Sequence, residues 1–199
     1  MKQIASIQIT PSQIVLNGQV LTLEPTADNL ATPTGKAMLT ACYKQRVADY
    51  PKFYKMDALA RLGFIAAELL LQSLGETMYQ ERDDRAIVLV NRSASLVADR
   101  KYETTIQDEG DNYYPSPADF VYTLPNIVTG EIAIRHHYHA ETTFLVIEPD
   151  QTDSTGAGSV PEMLIAQAFC DPQVTSVLGG WLECSDENEF HADLGIYVE

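Results

Sequence analysis

Residues 116–149 read SPADFVYTLPNIVTGEIAIRHHYHAETTFLVIEP, and the reading of this stretch decides the fold. It divides into a loop, a helix, a short turn and a strand. Pro125 suits a first helical turn, where its missing N–H costs nothing, and Thr123 stands just before it as a cap. Ile127, Val128, Ile132 and Ile134 supply the apolar positions of the helix. Gly130 falls inside it, where glycine is costly unless another backbone must come close. His136 and His137 stand at the C-terminal end, where the helix dipole favours positive charge. Thr142–Ile147, TTFLVI, is an uncharged, β-rich run with no polar face. That pattern predicts a strand covered on both sides, as in the sheets of α/β proteins.

Working outward towards the N-terminus, Ala86–Val90 (AIVLV) is a second buried strand, set off by Asp83, Asp84 and Arg85. Met56–Leu74 (MDALARLGFIAAELLLQSL) is a helix. Its polar residues Asp57, Arg61, Glu68 and Gln72 fall within a stripe of roughly 60° at about 100° per residue, so most of its circumference must be covered. Asp57 and Arg61 are spaced as an i,i+4 pair, and Gly75 supplies the stop. Ile4–Thr10 reads as a first strand. Ile14–Leu16 and Gln19–Leu21 flank Asn17-Gly18, a type I′ hairpin signal. Residues 24–36 read as loop, and the apolar positions of Ala37–Val47 do not fix a face. Arg100–Ile106 reads as a short helix or an extended piece, and Asp108–Tyr114 as an acidic, aromatic loop. Towards the C-terminus, Asp150–Val160 reads as loop and Pro161–Phe169 as a short helix capped by Ser159 or a neighbour. Val174–Leu178 reads as a strand ending at Gly179-Gly180, and Leu194–Val198 as a last strand.

The stretch resembles the β-ketoacyl synthases of the thiolase superfamily. In them a segment S-P-x-x-x-x-x-T-x-x-N-x-x-x-G-x-x-x-I leads through a turn into a strand that ends at the nucleophilic cysteine. Ser116, Pro117, Thr123, Asn126, Gly130 and Ile134 fit that pattern in register. The helix entry Met56, Asp57, Leu62, Ala66, Ala67 and the pair Gly179-Gly180 are similar to the family as well. The resemblance runs from about Met56 to Glu183 and covers one half of the family's fold; the repeat of that half lies beyond it. Where the family's cysteine is expected, the chain reads Ile147-Glu148-Pro149-Asp150.

Composition narrows the partners. The chain has 199 residues with 45% hydrophobic and 21% charged, ordinary values for one globular domain. No apolar run is long enough to span a bilayer, and MKQIASIQIT lacks the apolar core of a signal peptide, so a cytoplasmic location is expected. Net charge is −15, with 13 Lys and Arg. Phosphate binding needs clustered basic residues, so nucleic acid is disfavoured as a partner. Acidic acyl carrier proteins are disfavoured by the same repulsion, and reach this chain at most indirectly.

Chemistry on this fold requires, by the family's pattern, a thiolate at a helix N-terminus and further polar groups for decarboxylation and the oxyanion. Cys42, Cys170 and Cys184 are widely spaced, with no C-x-x-C and no histidine or helix start beside them, and read as small packed residues. His136, His137 and His139 invite a metal reading, but lack the H-E-x-x-H logic and read as solvated helix-end histidines. Asp186, Glu187, Glu189 and His191 read as a solvated acidic turn without the spacing of a calcium loop. No catalytic, cofactor or metal residue is assigned.

The expected fold is α/β, a thiolase-like half-fold with a mixed central sheet flanked by helices, as one domain over residues 1–199. The resemblance implies a non-catalytic ketosynthase-like subunit, an assembly or chain-length partner in fatty acid or polyketide (aryl-polyene-like) biosynthesis. Two other readings stay open: an acyl-binding or acyltransferase enzyme with a different nucleophile, and a structural homodimer. The expected interface is Gly130 with Thr142, Thr143, Phe144, Leu145, Val146 and Ile147, joining either a second copy or a complete ketosynthase. An uncharged strand without proline or glycine is an aggregation template if its edge stays free.

Overall fold

Asn17 and Gly18 both adopt positive φ, 50° and 78°, the backbone that a two-residue I′ turn demands. They join β2 (Gln13–Leu16) to β3 (Gln19–Val20), and β2 pairs in turn with β1 (Lys2–Thr10). This is a computed structural model, and it describes residues 1–25, 32–76, 81–106, 115–147 and 160–199. The expected loops at 108–114 and 150–159, the Ser159 cap and Pro149 lie outside the described residues, as do residues 26–31 of the loop between β3 and the first helix.

The remaining elements are α1 (Gly35–Arg46), a 3₁₀ turn (Pro51–Lys55), α2 (Ala58–Ser73), β4 (Arg85–Asn91), α3 (Leu96–Ile106) and α4 (Pro117–Val121). They are followed by α5 (Ile127–His136), β5 (Thr142–Val146), α6 (Val160–Ala168), β6 (Ser176–Asp186) and β7 (Glu189–Val198). The strands form one mixed sheet in the order β3-β2-β1-β7-β6-β4-β5. β4 runs parallel to both its neighbours, β5 and β6, while β7 runs antiparallel to β6 and β1. The expected α/β fold with a mixed sheet flanked by helices is therefore the observed one.

α2 is the centre of the packing. It lies on β1, β6 and β7 and touches α1 and α5. Leu62, Phe64, Ile65, Ala66, Ala67 and Leu70 are fully buried, and full burial of each large one is worth about 1.5–3 kcal/mol. Alternation along β4 sends Ile87 and Leu89 into the core under α2, and Ala86 and Val88 into a smaller cluster under α6 with Ile165 and Val177. Among the described residues no helix is long and apolar enough to cross a membrane.

Five expectations need correction. α5 starts at Ile127, with Asn126 before it and no side-chain cap, so Thr123 and Pro125 do not open it. The cap-and-proline pair is Ser116-Pro117, and the Ser116 hydroxyl accepts from Asp119 N at 3.3 Å to start the short helix α4. Gly130 does not receive another backbone: a Cβ there would meet nothing within 4 Å. The close approach to α5 is made from Gly63 of α2, where a Cβ would collide with Val128. Asp57 and Arg61 form no ion pair. Asp57 accepts from Ala60 N at 2.9 Å, while Arg61 donates to the carbonyls of Phe53 and Tyr54. β6 does not end at its glycine pair but continues to Asp186, because β7 stays paired beside it past the glycines. Last, among the described residues Thr142–Ile147 is not covered on both sides.

Candidate functional site

β5 stands at the end of the strand order. Among the described residues its one strand partner is β4, from Ile87↔Thr142 to Asn91↔Val146. The bonds Ile87 N to Glu141 O and Ile147 N to Asn91 O, both 2.9 Å, fix the two ends of this pairing. Among the described residues no strand pairs with the opposite edge. Thr142 and Val146 are exposed, and Thr143, Phe144, Leu145 and Ile147 are half-buried. Phe144 packs against the main core, so strand alternation places Leu145 on the other face. The C-terminal strand β7 lies between β1 and β6 and gives this edge no cover.

α5 continues the same open surface. Ile127, Gly130 and Ile134, spaced i, i+3 and i+7, share one face of the helix. Ile134 is 64% exposed, and the space outside Gly130 is empty. Phe120, Val121 and Leu124 are exposed just before the helix, and Val146 is exposed on the strand after it. Isolated exposed apolar residues need no explanation. Here they form a series along α4, α5 and the strand edge rather than standing singly.

The inward side of α5 is ionic. Arg135 donates from Nε to Glu68 Oε1 at 2.8 Å and from Nη2 to Asp49 at 2.6 Å, and its guanidinium lies over the Tyr50 ring. His136 Nε2 is 3.2 Å from the same Glu68 oxygen, outside hydrogen-bond geometry and with no other partner. Burial would raise the Glu68 carboxyl, but His136 and Arg135 outweigh it and hold the group below its ordinary value. One turn earlier, Glu131 is paired with Lys52 at 2.8 Å and accepts from the Tyr122 hydroxyl. Burial, with Glu131 and Asp57 nearby, pushes the Tyr122 phenol up to about 12.

The three histidines thus part company. His136 is buried, which corrects its reading as a solvated helix end. Its signal was Glu68, a charged residue on a helix otherwise built for burial. His137 adopts the left-handed C-cap conformation, φ 54°. His139 meets exposed Asp83 at 3.0 Å. Among the described residues no three His, Cys, Asp or Glu side chains are placed to share a metal ion. Cys42 and Cys184 are buried, and burial pushes both thiols up to about 12, far from the thiolate that a nucleophile requires. Cys170 is exposed. Glu187 turns the β6–β7 corner and pairs with Lys36 at 2.8 Å, so the acidic turn is tied to α1.

No family model matches this sequence, and no curated protein does. Solved structures do match. The ishigamide ketosynthase/chain length factor superimposes with a TM-score of 0.65 at 13% identity, over 99% of this chain and 61% of that one. The structure of a ketosynthase in complex with its chain length factor from Xenorhabdus doucetiae gives a TM-score of 0.52 at 13% identity, over 100% of this chain and 80% of that one. The chain thus spans less than two thirds of the first of these structures. At such identity the likeness concerns the fold alone, an α/β fold with a mixed central sheet shared with these ketosynthase and chain length factor structures.

Proposed function

We propose that this chain is a non-catalytic, ketosynthase-like partner subunit. It pairs with a complete ketosynthase through Gly130 on α5 and Thr142, Thr143, Phe144, Leu145, Val146 and Ile147 along the β5 edge. The observation that carries the reading is the unpaired apolar edge of β5, continuous with the exposed Ile134 face of α5. A free edge of this composition invites strand addition, and a partner strand would satisfy its unpaired backbone groups. Each of the two similar solved structures is of a ketosynthase and a chain length factor. The sequence Ile147-Glu148-Pro149-Asp150 supports a non-condensing role, as do the two buried cysteines. In this reading the acyl carrier protein docks on the partner, which suits a chain of net charge −15.

The test is co-expression with a complete, cysteine-bearing ketosynthase from the same source, followed by light scattering on the purified product. A 1:1 heterodimer is expected, with condensing activity lost when the partner's cysteine is replaced and absent from this chain alone. Ile134→Glu and Leu145→Lys should each leave two monomers. Ile134 is largely exposed, so its variant keeps the fold. A wild-type chain that stays monomeric beside the ketosynthase overturns the proposal. A homodimer dissolved by the same variants would reassign the surface to self-association.

A further inference from the structure

Beside that surface, sharing α4 with it, lies a cleft of about 440 Å³ between the start of α2, helices α3 and α4, and the β6–β7 turn. Small-molecule sites occupy about 300–1,000 Å³. No residue of α5 or β5 lines it. Its floor is apolar, with Leu39, Met56, Ala98 and Phe190 all buried.

The rim carries Lys36, Lys55, Arg61 and Lys101, four of the 13 Lys and Arg in a chain of net charge −15. Three carboxylates face them: Asp57, Asp119 and Glu187. Glu187 holds Lys36 and Asp119 holds Lys101. Asp57 spends one oxygen on capping α2, and Arg61 is tied to two backbone carbonyls. Lys55 is exposed and makes no ion pair or hydrogen bond among the described residues. Among the described residues the cleft therefore combines an apolar floor with one uncommitted cation, on a protein whose overall field repels anions.

We propose that this cleft binds a small amphipathic monoanion, its apolar chain seated on Leu39, Met56 and Phe190 and its carboxylate or phosphate head at Lys55. A cationic amphiphile would meet the same apolar floor and an unfavourable rim. A polyanion would gain one contact and face the repulsion of the whole chain.

Isothermal titration with decanoate, decanol and decylammonium, each below its aggregation threshold, tests this. Decanoate should bind saturably at one per chain, and decylammonium about tenfold or more weakly. Lys55→Glu should weaken decanoate about tenfold, as expected for reversing one charge near a partly exposed anion, and leave decanol unchanged. Ala118→Trp, an exposed position at the cleft mouth, should abolish both. Thermal melts of the two variants check that they fold. Absence of saturable decanoate binding overturns the proposal. So does decylammonium binding as tightly as decanoate, or a Lys55→Glu variant with unchanged affinity. Lys55→Glu lies outside α4, α5 and β5, so it leaves pairing with a ketosynthase unaffected and the two proposals fail separately.

Discussion

Asp57 opens the most buried helix with a carboxylate in a costly place. Burial pushes its carboxyl up to about 6 from 3.8, against the pull of the Ala60 N–H and of Arg61. A raised folded-state value means that the native chain holds the proton more tightly than the unfolded one. Stability is therefore greatest where Asp57 is protonated, and is lost as pH rises from about 4 through 6. Asparagine caps helices as well as aspartate and does not ionise. Asp57→Asn should then be more stable than wild type at pH 8, on the order of 2 kcal/mol, with the difference vanishing near pH 4. Urea unfolding at the two pH values measures it. A variant less stable at pH 8 would show that the charge's interaction with the helix dipole outweighs its burial. Nothing in the sequence around Asp57 announces this shift; the capping position is legible, but the depth at which the helix begins is set by α1 and α3.

Helices α2 and α5 are lashed together by Glu68 and Arg135, the first 2% and the second 7% exposed at their side chains. Such a pair adds little over apolar residues of the same shape, yet removing one partner strands a buried charge. Arg135→Met should cost about 3 kcal/mol, and the double variant Glu68→Leu, Arg135→Met should recover most of it. A double variant no better than the single one would locate the loss in the Arg135–Asp49 contact or in the stacking on Tyr50. Element periodicity made α2 and β4 readable, because both bury nearly every residue and the pattern has one solution. The Asn17-Gly18 hairpin was readable because only one turn type fits it. α1 was not: Met38, Leu39, Ala41, Cys42 and Tyr43 are all buried, which breaks any single face. The start of α5 was missed because Ser116-Pro117 and Thr123-x-Pro125 are equally good local signals, and tertiary packing chose the first. The incomplete cover of the faces of β5 was missed for a more general reason. An apolar strand states that its faces need cover, and composition does not say whether the cover comes from its own chain.

Over the whole molecule the charge is lopsided, 28 Asp and Glu against 13 Lys and Arg. Folding gathers that excess into a smaller volume, which costs self-repulsion. The ion pairs that oppose it are of two kinds. Lys36–Glu187 and Lys101–Asp119 are exposed on at least one side, worth little and easily screened. Arg85–Glu76 and Arg135–Glu68 hold arginines that are 2% and 7% exposed, where salt reaches them poorly. Screening thus removes more repulsion than attraction. Raising sodium chloride from about 20 mM to about 300 mM should lift the melting temperature by about 2–5 °C. Chloride is the suitable anion, since sulfate stabilises proteins by exclusion whatever their charge. A matched titration on the Lys55→Glu variant, which adds two units of negative charge, should give a steeper rise. A melting temperature that falls with sodium chloride would mean that the exposed pairs contribute more than the excess charge costs. In that case the acidic surface is compensated locally, and the net charge is no guide to which partners the protein repels.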